Sequence, residues 1–120
     1  MLAEGLRHNP DSVQLYFTKG YMLFHQLEDL EGAYEMLDQG RRVWLGHWEE
    51  WRQREARGQP AEQPLGLLYY RLLAYMGRIA ELQEETERAI VLYSEALPFA
   101  PSQHVSDRLH ERIKSLSPAP

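Results

Sequence analysis

The side chains in this sequence best suited to chemistry are five histidines, a set of arginines and three tryptophans. His8, His25, His47, His104 and His110 are scattered. They form neither a His-Glu-x-x-His motif nor the paired Glu-x-x-His motifs that hold metal ions between helices. Asp107 and His110 stand three apart, a spacing that shares one helix face and usually marks a solvated surface. With no cysteine in 120 residues, thiolate zinc sites, disulfides and Cys nucleophiles are excluded. No glycine-rich phosphate loop follows a strand pattern, and there is no nucleophile elbow. Neither catalysis nor a cofactor nor a metal is therefore expected, which leaves recognition. Arg71, Arg78, Arg108 and Arg112 carry guanidinium forks that pair with carboxylates. Trp44, Trp48 and Trp51 put three tryptophans into eight residues, and tryptophan is enriched where binding energy concentrates.

Composition narrows the classes further. Apolar residues at 43% and charged residues at 26% are ordinary for a globular chain, and the length suits one domain. A net charge of −5 disfavours non-specific nucleic-acid binding, which needs a basic surface. No apolar run approaches the length of a membrane span, and the N-terminus lacks the pattern of a signal peptide. A soluble, cytoplasmic domain is the expectation.

These residues need helices to position them. Ser12 is a candidate N-cap for a helix over residues 13–27, with Tyr16, Gly20, Leu23 and Leu27 along one face. Phe17, Tyr21 and Phe24 lie on an adjoining face. After a break at Glu28-Asp29, a second helix runs from Leu30 to about Arg57, with Ala33, Leu37, Trp44, Trp48 and Trp51 on one stripe. Acids crowd its start and arginines its later part, as the helix dipole favours. Residues 58–64, with one glycine and two prolines, read as a loop. A helix over 65–80 carries Leu68, Leu72, Met76 and Ile79 on one face, and an acidic turn spans 81–85. A helix over 86–99 points Ile90, Tyr93 and Leu97 inward. Ser102 caps a last helix with Val105, Leu109, Ile113 and Leu116 on one stripe, and residues 115–120 are expected to fray.

Within this series, Gly77, Ala89, Tyr93, Ala96 and Pro101 keep a spacing of 12, 4, 3 and 5. Small residues at 77 and 89 suit a close crossing of two antiparallel helices, Tyr93 fills the space beside it, and Pro101 stops the second helix. This pattern resembles the tetratricopeptide repeat family. Leu73, Met76 and Ala80 occupy its looser first-helix positions. The earlier chain fits the same frame less closely. Gly5 takes a late Ala position, Tyr16 and Gly20 match, Lys19 stands where a buried Leu belongs, and either Gly32 or Ala33 takes the Ala position. Gly20 and Gly77 are 57 apart instead of 34, leaving about 23 extra residues. Those are the Trp-rich extension and the Pro-rich loop.

The resemblance implies an all-α fold of antiparallel helix-turn-helix repeats in a right-handed superhelical stack, with an elongated hairpin and a C-terminal capping helix. Residues 1–120 then form a single domain. Residues 1–10 end a partial repeat, 12–64 form the extended repeat, 65–101 the best-matching repeat, and 102–116 the cap. Because the frame opens inside a repeat, we expect either a piece of a longer protein or a first face covered by a partner or a second copy.

By the same resemblance, a concave groove would be lined by Gln14, Phe17, Tyr21, Phe24 and His25 from one repeat. The next would add Arg71, Ala74, Arg78, Glu81 and Leu82, and the cap Arg108 and Arg112. Such a surface would hold a protein or peptide that is acidic with an apolar anchor. The plainer alternative puts Phe17 and Phe24 in the core and pairs the arginines with Glu81 and Glu111. Family members that clamp a chaperone's terminal carboxylate carry Lys and Asn where this chain has Phe17 and Tyr21, so that partner is not expected. Trp44, Trp48 and Trp51 form either a second binding patch or core against the insert loop and the Tyr69-Tyr70 helix, and continuity with the core stripe favours core. The implied function is a scaffold or adaptor for protein–protein interaction without catalysis. The alternative is a regulatory or substrate-recruiting segment of a larger enzyme.

Overall fold

The computed structural model describes residues 12–118. The expected partial repeat over residues 1–10, including Gly5 and the turn at Pro10, lies outside the described residues. Among those described there are five α-helices, one 3-10 turn and no strand. The chain divides into two compact units between Leu65 and Gly66.

The first unit is a hairpin of α1 (Val13–His25) and α2 (Leu30–Ala56). Ser12 caps α1, its hydroxyl accepting from the Leu15 N–H at 3.4 Å. Leu27, expected on the inner face, instead lies past the end of α1 and is 70% exposed. The chain turns through Glu28 at φ +52°, and the Asp29 carboxylate caps α2 by accepting from the Gly32 N–H at 2.9 Å. At Gly20 the two helices approach closely. A Cβ there would stand 2.7 Å from Leu37 Cγ and 3.2 Å from the Ala33 carbonyl oxygen. Ala33 therefore occupies the crossing, whereas Gly32 sits over the Asp29 cap. The outer face of α2 is laced by Asp38 to Arg42 at 2.9 Å and, beyond the crossing, by Glu50 to Arg54 at 3.0 Å. It ends at Ala56, and Gly58 takes the left-handed φ of +70° that closes the C-terminus.

The second unit contains α3 (Gly66–Leu82), α4 (Thr86–Ala96), a 3-10 turn over Leu97–Phe99 and α5 (Gln103–Leu116). The helix expected to reach Phe99 ends at Ala96, because Pro98 has no N–H to continue the ladder and the backbone tightens. Leu72, Leu73, Met76, Ile79 and Ala80 of α3 pack with Ala89, Leu92, Tyr93 and Ala96 of α4 as the buried core. Ile90 and Leu97, expected inward, are only half-buried. Ser102 caps α5 by accepting from the Val105 N–H at 3.2 Å. Residues 115 and 116 are helical, and the Ser117 hydroxyl closes the end by donating to the Ile113 carbonyl at 2.8 Å.

The two hairpins share one crossing device. Gly20, Ala33, Leu37 and Gly40 are buried at spacings of 13, 4 and 3, while Gly77, Ala89, Tyr93 and Ala96 are buried at 12, 4 and 3. The extra residue lies in the first turn. The Asp29 N–H reaches back six residues to the Leu23 carbonyl, whereas the Glu85 N–H reaches back five to that of Ala80.

Candidate binding groove

In the second unit, the spacing of Tyr70, Ala74, Arg78 and Glu81 places all four on one face of α3. Val105, Arg108, Arg112 and Ser115 do the same on α5. Between these faces lies an open groove of about 800 Å³. Its lining mixes the apolar surfaces of Tyr70, Ala74, Val105 and Leu109 with the cations Arg78, Arg108 and Arg112 and the carboxylates Glu81, Asp107 and Glu111.

The floor holds a three-residue network. The Glu81 carboxylate accepts from the Tyr93 hydroxyl on one oxygen and pairs with the Arg112 guanidinium through the other. Burial works against ionising Glu81. Hydrogen bonds from Arg112 and Tyr93, with the charges of Arg112 and Arg78, outweigh it and hold the carboxyl below its ordinary 4.5. Tyr93 moves the other way: burial, then its hydrogen bond to Glu81 and that residue's charge, push the phenol above 10.0. Tyr70 is also raised by burial, partly offset by Arg108. Glu81 is therefore a committed anion. It neutralises Arg112, while Arg78 and Arg108 make no ion pair among the described residues.

Of the four expected arginines, the structure thus brings three to one groove, and one of them is already engaged. Arg71 is an exposed residue of α3 that does not line it. Ala74 and Glu81 line the groove, whereas Leu82 is 53% exposed outside it. Sequence reasoning missed the apolar contribution of Tyr70 and Val105, and assigned Tyr93 only to packing. A buried tyrosine hydroxyl needs a partner, and that requirement was the available signal for its bond to Glu81.

The aromatic candidates belong to the first unit. Phe17 is buried at 8% exposure, so it is core first and surface only at its edge. Tyr21 is 41% exposed and lies with its ring 4.3 Å from that of His25, and the Phe24 ring stands 4.7 Å from His25. Gln14 is exposed on the same helix.

The tryptophans form a ladder along the α2 extension. Trp44 stacks on Trp48 at 5.0 Å and 17°, and Trp48 meets Trp51 at 4.9 Å. Trp44 is 2% exposed and donates its Nε1–H to the Leu65 carbonyl at 3.0 Å. It is thus core and a clamp on the insert loop. Trp48 and Trp51 are half-buried, and Trp51 with His47, Glu50 and Arg54 faces residues 61–65 across a cleft of about 320 Å³.

Among the described residues no cluster of His, Asp or Glu is arranged to hold a metal ion, and no helix is long and apolar enough to cross a membrane. Comparisons with protein-family models, curated proteins and solved structures return no match for this chain.

Proposed function

We propose that this chain is a protein-binding module of the tetratricopeptide type, a scaffold or adaptor with no chemistry of its own. Its occupant is an acidic peptide with an apolar anchor, held between α3 and α5. The observation carrying this reading is the pair Arg78 and Arg108: two groove-lining guanidiniums without ion pairs among the described residues, in a lining that also holds Tyr70, Ala74, Val105 and Leu109, and an Arg112 already paired with Glu81. A carboxylate entering the groove meets forks that no ion pair among the described residues engages. Two features support the repeat type. The Gly-Ala-Tyr-Ala crossing of the second unit recurs in the first as Gly20, Ala33, Leu37 and Gly40, and α5 has one apolar stripe with charged residues around it.

Calorimetric titration with blocked peptides that contain one leucine and either glutamate or glutamine tests the proposal. The glutamate peptide should bind more tightly, with an advantage that shrinks as salt is added. Equal affinity for the two peptides would overturn it.

A further inference from the structure

We infer that Glu81 is a built-in competitor for the groove's occupant: its carboxylate holds Arg112 as an incoming acidic side chain would, and so limits binding. This regulation rests on reading the groove as an acidic-peptide site and names the residue that restrains its affinity.

Three carboxylates line the groove, and their partners separate them. Among the described residues, Glu81 is the one that forms an ion pair with a groove arginine. Asp107 instead accepts from the Gln103 amide within α5 at 2.8 Å, and Glu111 makes no ion pair among the described residues. The Glu81 and Arg112 side chains come from helices α3 and α5, so tertiary packing rather than local spacing brings them together.

The competitor is held in place. The Glu81 side chain is 12% exposed, against 51% for Arg112. Its second oxygen accepts from the Tyr93 hydroxyl, and the Tyr93 ring lies against Gly77. Glu81 cannot turn away without giving up that hydrogen bond. An occupant's carboxylate therefore has two routes to the Arg112 guanidinium. It can displace Glu81, leaving a largely covered carboxylate without its cation. Otherwise it sits beside Glu81 and meets a like charge. Both routes subtract from affinity. Arg78 also lies within the field of Glu81, so the same charge weakens its pull on an arriving anion.

The test titrates the leucine–glutamate peptide and its glutamine counterpart into the wild-type chain and into variants whose folding is checked by circular dichroism. Glu81→Gln gives up the charge and keeps an acceptor for the Tyr93 hydroxyl. It should bind the glutamate peptide about threefold more tightly than wild type, the scale of a half-exposed ion pair. Glu81→Ala is a second route to the same release and should also gain. Glu111→Gln removes the same charge from the groove without freeing a guanidinium, and should gain less. The E81Q/R112Q double variant keeps the wild-type net charge but lacks the freed fork, so the gain should disappear in it.

A wild-type preference for glutamate with no gain in the Glu81 variants that fold would overturn the competitor role and leave the acidic-peptide reading standing. So would an equal gain in Glu111→Gln, or a gain retained in the double variant. Equal affinity of the wild-type chain for the two peptides would overturn that reading itself, and the competitor role with it.

Discussion

Tyr93 lays its ring against the backbone of Gly77, where a Cβ would stand 2.5 Å from Cε1, and passes its hydroxyl on to Glu81, one turn further along the same helix. One side chain therefore closes the α3–α4 crossing and fixes the anion at the floor of the groove. Packing and recognition meet in it: the crossing places the hydroxyl, the hydroxyl holds Glu81, and Glu81 engages Arg112 of α5.

The crossing predicts opposite outcomes for one substitution at two glycines. Gly77→Ala should destabilise the protein by about 1–3 kcal/mol, since overpacking against the ring outweighs the better helix propensity of alanine. Gly77→Leu should do no better. A Cβ added at Gly46, within α2, would meet no other group within 4 Å. Gly46→Ala should therefore stabilise by about 0.5–1 kcal/mol. Urea unfolding of the two alanine variants checks both signs.

The floor network predicts how stability changes with pH. The folded pKa of Glu81 lies below its ordinary 4.5, so between the two values the unfolded chain binds more protons. Its contribution is complete above 4.5 and is lost as pH falls through the folded value. For Tyr93 the folded pKa lies above 10.0, so its contribution is full below 10.0 and declines as pH rises beyond it. Glu81→Gln should flatten the acid limb of a stability profile. Tyr93→Phe should flatten the alkaline limb and lower stability at neutral pH by on the order of 1 kcal/mol. Denaturant melts across pH read both.

The tryptophan ladder predicts a local effect. Trp44→Phe keeps an aromatic ring but loses the bond to the Leu65 carbonyl. It should cost about 1 kcal/mol and release residues 57–65. Because all three tryptophans lie on α2, fluorescence reports on this region alone. Trp48 and Trp51 should become more accessible to a neutral quencher, and faster proteolysis should appear within the loop.

Much of the architecture was legible because it depends on local chemistry. Ser12 and Ser102 are caps that a short-range pattern finds, and the breaks near Glu28 and Glu84 follow from clustered acids between apolar stripes. Gly77 with Tyr93 could be read from spacing alone. The choice between Gly32 and Ala33 could not, because it turns on one extra residue in a turn whose length no periodicity encodes. The groove was legible only in part. Helical spacing placed Arg78, Arg108 and Arg112 on suitable faces, but Arg71 shares that kind of spacing and lies outside. Which arginine is engaged depends on Glu81, a residue of another helix, and pairing across helices leaves no mark in the order of residues.

The groove's selectivity is tested most directly by charge reversal with an internal control. The leucine–glutamate peptide is titrated into R78E/R108E and, separately, into R71E, with helicity checked for each. The double reversal should abolish binding while R71E retains it to within a factor of about two, below the ~0.5 kcal/mol typical of a remote surface change. Undiminished binding to R78E/R108E, or equal loss in R71E, would contradict a groove centred on Arg78 and Arg108.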